Sequence, residues 1–167
     1  MHSRLLALLM LLIPWTICGP AMAFDDIEIS SLSKIDLQYM QQQRDSLRDL
    51  AARNFGRQFS GSKDLDLPLL QRLLDESIVT NDQTAELQAM GIIMGDLLAD
   101  ELDLDWVVYE DRLGRSRALR YKSTDSYLFP VTMISRRRSV DNLTPVAEIY
   151  DKARDTMRAS KPALPFQ

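Results

Sequence analysis

At Trp106 the hydrophobic period of this chain shortens from helical spacing to strict alternation, and that switch separates what can fold as helix from what can fold as strand. Upstream, Leu87, Met90, Met94, Leu97, Leu98 and Leu102 recur at helical spacing and predict a helix over residues 82–102. Gly91 and Gly95 lie four apart inside it. An interior glycine costs about 1 kcal/mol relative to alanine, so a sheet or a neighbouring helix is expected to approach the backbone closely there. An earlier helix is predicted over residues 34–54, with Ser33 as cap, Gly56 as stop, and Ile35, Met40, Leu47, Leu50, Ala51 and Phe55 as its apolar face. A shorter one over residues 67–77 has Pro68 in its first turn and Leu69, Leu70, Leu73 and Leu74 as its stripe. Residues 57–66, holding Ser60-Gly61-Ser62, read as a loop.

Downstream of the switch, residues 106–110 and 115–121 read as two strands joined by an Asp111-Arg112-Leu113-Gly114 turn. The pairing written from that turn places Val107 and Tyr109 on one face with Leu119 and Tyr121, and Trp106 and Val108 on the other with Ala118 and Arg120. Residues 127–135 form a third strand in this reading, and Pro130 marks it as an edge. A last helix starts after Thr144 as cap and Pro145, turning Val146, Ile149, Tyr150, Ala153 and Met157 inward. The expected fold is therefore α+β: three N-terminal helices, a three-stranded antiparallel meander and one C-terminal helix, in a single domain over residues 34–160. Residues 24–33 are expected to be a mobile lead-in and residues 161–167 a frayed tail.

Residues 1–23 have the parts of a secretory signal: Arg4, an apolar run from Leu5 to Ile13, and Ala21-Met22-Ala23 ahead of Phe24. Cleavage after Ala23 and delivery to the periplasm or the medium are the expectation. The run is about half of the roughly 20 apolar residues of a membrane-spanning helix, and no later stretch is apolar enough, so no transmembrane segment is expected after cleavage. Lipid attachment at Cys18 is disfavoured by Ile17, where a small residue would be needed. His2 and Cys18 are the chain's only histidine and cysteine. The mature chain then has neither, which excludes disulfides, thiol and imidazole relays and the usual zinc ligands. No cofactor, metal or catalytic residue is assigned.

The segments Gly91-Ile92-Ile93-Met94-Gly95-Asp96, Leu104-Asp105-Trp106-Val107-Val108, Asp111-Arg112-Leu113-Gly114, Ala118-Leu119-Arg120 and Phe129-Pro130-Val131-Thr132-Met133-Ile134-Ser135-Arg136-Arg137 resemble a bacterial domain family known only as a domain of unknown function. The resemblance covers roughly residues 85–152. It implies a fold and segment boundaries, with residues 129–137 as a strand closing on a basic pair. It carries over no catalytic residue.

Charge is segregated along the chain. Residues 73–111 hold eleven acids and no Lys or Arg, whereas residues 112–138 hold eight bases and one acid, Asp125. Opposite blocks of this kind either pair within the fold or leave a bipolar surface that orients a partner. The bases centre on Arg115, Arg117 and Arg120 in one strand and Arg136, Arg137 and Arg138 after the next, with Trp106 and Tyr127 as candidate interface aromatics. These eight residues form the candidate partner-binding group.

Nucleic acid is disfavoured by the leader and by a formal net charge of −4. A calcium loop beginning at Glu101 fails because Trp106 and Arg112 stand where Gly and a bidentate Glu are needed. The expected function is a non-enzymatic protein-binding module of the bacterial envelope, inhibitor-like or immunity-like, whose partner is an acidic envelope or secreted protein. The alternative is a carboxylate-dependent hydrolase acting on an envelope glycan or peptide, which needs a pocket holding two acids.

Overall fold

Ser33 starts the first long helix as the sequence indicates. Its side chain accepts the Asp36 backbone N–H at 3.1 Å while the Asp36 carboxylate accepts the Ser33 N–H at 3.0 Å, a reciprocal capping box. The computed structural model describes residues 27–160, so the signal segment, the tail and the first three residues of the expected lead-in lie outside the described residues. The described elements are β1 (Glu28–Ser31), α1 (Lys34–Phe55), α2 (Lys63–Asp75), α3 (Thr84–Leu102), β2 (Asp105–Asp111), β3 (Gly114–Arg120), β4 (Tyr127–Leu128), α4 (Pro130–Arg138) and α5 (Val146–Ser160). The α+β class holds, with five helices and a four-stranded antiparallel sheet in the order β1-β2-β3-β4.

Three expectations are corrected. The lead-in is no mobile segment over residues 28–31, which pair as β1 with β2. The third strand stops at Leu128, and residues 130–138 are the helix α4. Pro130 occupies the first helical position, where its missing N–H would have been unpaired in any case. Pro130, Ile134 and Arg138, four apart, are buried along α4, a helical stripe that the local alternation of Val131, Thr132 and Met133 had concealed. The hairpin register is also opposite to the expected one. Trp106 pairs with Leu119, Val107 with Ala118 and Val108 with Arg117, so Trp106 and Val108 share a face with Arg117 and Leu119.

Helix α2 begins one turn before the sequence suggested. The buried Asp66 carboxylate accepts N–H groups from Ser60 and Gly61, at 2.9 and 2.8 Å, and folds the preceding loop back over the helix start. Pro68 therefore lies beyond the first turn. Helix α5 starts at Val146, whose N–H is taken by the Gln71 side chain at 2.8 Å, and all five of its expected inward residues are buried.

Helix α3 is the centre of the core, with eleven buried residues that include both glycines. A Cβ on Gly91 would lie 2.5 Å from the Pro130 carbonyl oxygen and 2.6 Å from that of Val131. One on Gly95 would lie 2.5 Å from the Trp106 ring. The first glycine seats α4 on α3, and the second seats the sheet together with Pro130 at the start of α4, whose Cβ would lie 3.0 Å from the added one.

Candidate functional site

β4 is two residues long and meets β3 only at Leu119 and Arg120. The chain then leaves the sheet at Pro130, so among the described residues β3 from Gly114 to Ala118 has no strand on its outer side. Asp111 and Gly114, which flank a two-residue turn, form a hydrogen-bonded pair. By antiparallel alternation the backbone N–H and C=O groups of Arg115 and Arg117 point away from β2.

Two adjoining depressions, of about 160 and about 250 Å³, follow this open edge and share Arg115, Ser116, Phe129 and Arg136. One adds Gln88 of α3, Arg117 and Thr132; the other adds Tyr109 and the hairpin tip. Their walls are thus β3 and α4. Tyr109 and Phe129 meet edge to face with ring centroids 5.2 Å apart, giving one end an apolar wall.

The guanidiniums at this edge are held from behind. Arg115 donates from Nη1 and Nη2 to the two oxygens of Asp36, at 2.9 and 2.6 Å. Arg117 donates from Nε to Asp36 Oδ1 at 3.1 Å and lies over the Tyr39 ring at 4.2 Å. Asp36 is 1% exposed. The Arg115 hydrogen bond, with help from Ser33, holds its carboxyl well below the usual carboxylate range against the opposing effect of burial. Arg136 is different. It is exposed, and its guanidinium has no hydrogen-bond or ionic partner among the described residues.

The structure therefore brings three members of the sequence-derived group, Arg115, Arg117 and Arg136, to one cleft and disperses the rest. Arg120 donates to the Thr124 carbonyl at 2.7 Å and faces the Tyr127 ring, which lines neither depression but packs on Tyr109 with ring centroids 5.1 Å apart. Arg137 donates to the Met133 carbonyl within α4, and Arg138 is buried. Trp106 serves the core: its ring covers Gly95 and its Nε1–H reaches Asp96 at 3.1 Å. The expected position of Arg136, Arg137 and Arg138 at a strand end is corrected to the last turn of α4. Asp36 and Gln88 were not singled out from the sequence, and Phe129 and Thr132 entered only within the family resemblance, with no binding role. Asp36 has a local signal, three residues after a capping serine.

Of the acidic block, Glu110 lies cross-strand from Arg115 and Asp111 lines the second depression, whereas Asp96 and Glu101 find counter-ions outside this region. Asp96 binds Arg44 through two hydrogen bonds of 2.7 and 2.8 Å. Glu101 meets Lys63, Arg158 and the buried Tyr150 hydroxyl. Lys63 foremost holds the Glu101 carboxyl below its ordinary range, whereas burial pushes the Tyr150 hydroxyl up. A depression of about 240 Å³ does hold two acids, Asp66 and Asp96, beside Ile93 and Leu97. Each oxygen of both carboxylates accepts a hydrogen bond from the protein itself. Among the described residues no group of three or more His, Cys, Asp or Glu side chains could hold a metal ion, and no helix is long and apolar enough to cross a membrane.

A family model described as Domain of unknown function (DUF3806) matches residues 66–150, just over half of the chain. The chain belongs to this family. The DUF3806 segment contains Arg115, Arg117 and Arg136, whereas β1, Asp36 and Arg44 precede it. A crystal structure of a protein from Bacteroides thetaiotaomicron VPI-5482, solved at 1.50 Å, is similar in fold, with a TM-score of 0.70 and 18% identity. That similarity covers 77% of this chain and 47% of the other, so this chain spans about half the length of that one. No curated protein matches.

Proposed function

We propose that this protein is an exported, non-enzymatic binding module that captures an acidic envelope or secreted protein through the cleft between β3 and α4. The observation that carries the reading is the contrast among the three arginines. Two are fixed by Asp36, and the third, Arg136, stands exposed at the rim without a counter-ion among the described residues. Fixed guanidinium forks lose little conformational entropy when they meet a carboxylate, and an unpaired one adds attraction and steering. The mechanism is stoichiometric occlusion. The signal-like residues 1–23 support export to the periplasm or beyond.

The hydrolase alternative would draw on Asp66 and Asp96. Their engagement by Ser60, Gly61, Arg44 and Trp106 suits carboxylates that hold loops and helices together.

Capture from the native envelope fraction tests the proposal. Arg136→Glu is expected to abolish retention of an acidic protein. Arg137→Glu, whose parent guanidinium satisfies its own helix, should reduce it far less. Identical retention by wild type and Arg136→Glu, with both folded by circular dichroism, would reject the reading.

A further inference from the structure

We infer that the partner docks as an extended acidic segment, adding a strand to the open edge of β3 between that strand and α4. The inference rests on the binding role proposed above and specifies its geometry. Four observations converge on it.

Among the described residues the edge carries no strand, for a structural reason: β4 ends after two residues and the following residues are a helix beginning with proline, which has no N–H to offer. Arg115 and Arg117 then direct two N–H and two C=O groups outward, the spacing at which an antiparallel strand forms hydrogen-bonded pairs. Three consecutive residues, Arg115, Ser116 and Arg117, line the same depression although their side chains alternate between faces. Consecutive lining of this kind marks a groove that runs along the strand. Finally, the two depressions together reach the lower end of the roughly 300–1,000 Å³ range of ligand sites.

Alternation also sets the chemistry of the incoming segment. Side chains opposite Arg115 and Arg117 fall on the arginine face, and the one between them falls on the face of Ser116 and Tyr109. An acidic–apolar–acidic order satisfies both faces. The sheet's other edge, β1, presents Glu28 and no cation, so it does not suit an acidic strand.

The test is a titration of the mature chain, observed by amide chemical shifts and hydrogen exchange, with acetyl-Glu-Val-Glu-Val-Glu-amide. Three further probes separate the contributions: the Gln-for-Glu peptide, the Glu peptide N-methylated at alternate amides, and inorganic phosphate. The Glu peptide is expected to bind and to slow exchange at Arg115 and Arg117. The other two peptides should bind roughly tenfold or more weakly, and phosphate should leave those amides unprotected. Arg136→Gln should weaken the Glu peptide by a similar factor, while Lys152→Gln, on α5, should not.

Equal binding of the N-methylated peptide, protection at β1 instead, or protection by phosphate alone would overturn strand addition. Capture of an acidic protein that depends on Arg136 without any protection at β3 would also overturn it, yet leave the broader binding role standing. Loss of both would remove the two together.

Discussion

Asp36→Asn is expected to lower the stability of the folded chain by about 3 kcal/mol near neutral pH. The carboxylate is almost fully buried and carries three kinds of bond at once: the capping box with Ser33, the Arg115 fork and the Arg117 Nε–H. Removing one partner of a fully buried pair costs about 3–5 kcal/mol. Arg115, with 43% of its side chain exposed, recovers part of that by rehydration, which sets the estimate at the lower end. Asparagine keeps an acceptor for the helix cap, so the loss reports on the guanidiniums rather than on α1 nucleation. The corresponding fall in unfolding temperature is roughly 10 °C.

The pH dependence gives the same experiment a second readout. The folded pKa of Asp36 is depressed, so its contribution is fully present above the unfolded value of about 3.9 and is lost as pH falls through the folded one. Wild type and Asp36→Asn should therefore differ most above about pH 5, and the difference should shrink progressively as pH falls below about 4 in urea unfolding. Glu101, depressed in the same direction, leaves a residual slope in the variant. A difference that stays constant with pH, or one below about 0.5 kcal/mol, would show that Asp36 is not the counter-ion of the arginine pair.

What the sequence could disclose follows from how local each signal is. α3 and α5 were legible because the i, i+3, i+4 pattern lies within the element itself, and α1 because its capping serine lies immediately before it. α4 was not. Its nine residues bury one i, i+4 stripe ending in an arginine, and in so short a span Val131, Thr132 and Met133 imitate strand alternation. β1 escaped notice because four mostly exposed residues have no hydrophobic period, and only β2 makes them a strand. The arginine group was visible as composition, but its division was not. Asp36 is 79 positions from Arg115, and that pairing is set by how α1 packs beside the sheet. Charge segregation allowed pairing of the two blocks within the fold or a bipolar surface; the counter-ion of the arginine pair, Asp36, comes instead from α1, and Asp96 and Glu101 of α3 turn to Arg44, Lys63 and Arg158.

Gly91→Ala is expected to cost about 2 kcal/mol net, despite the higher helix propensity of alanine. Propensity alone favours the variant by about 1 kcal/mol. The new methyl group, however, would sit 2.5 and 2.6 Å from two backbone carbonyl oxygens of the first turn of α4. A carbonyl cannot rotate aside as a side chain can, so α4 has to move as a unit, and overpacking of this kind costs up to about 3 kcal/mol. Gly95→Ala meets the Trp106 ring, whose edge can tilt, and should cost less, with a change in tryptophan fluorescence as its ring shifts. Urea midpoints of both variants check the ranking. The Gly91 variant also tests the link between core and cleft, because α4 carries Arg136 opposite Arg115 and Arg117. Displacing the helix widens the groove without touching any lining side chain. Acidic-peptide affinity should therefore fall further in Gly91→Ala, which meets two α4 carbonyls, than in Gly95→Ala, which meets α4 only at the Pro130 side chain, under conditions where both are folded. The reverse order would mean that the groove is positioned by the sheet alone.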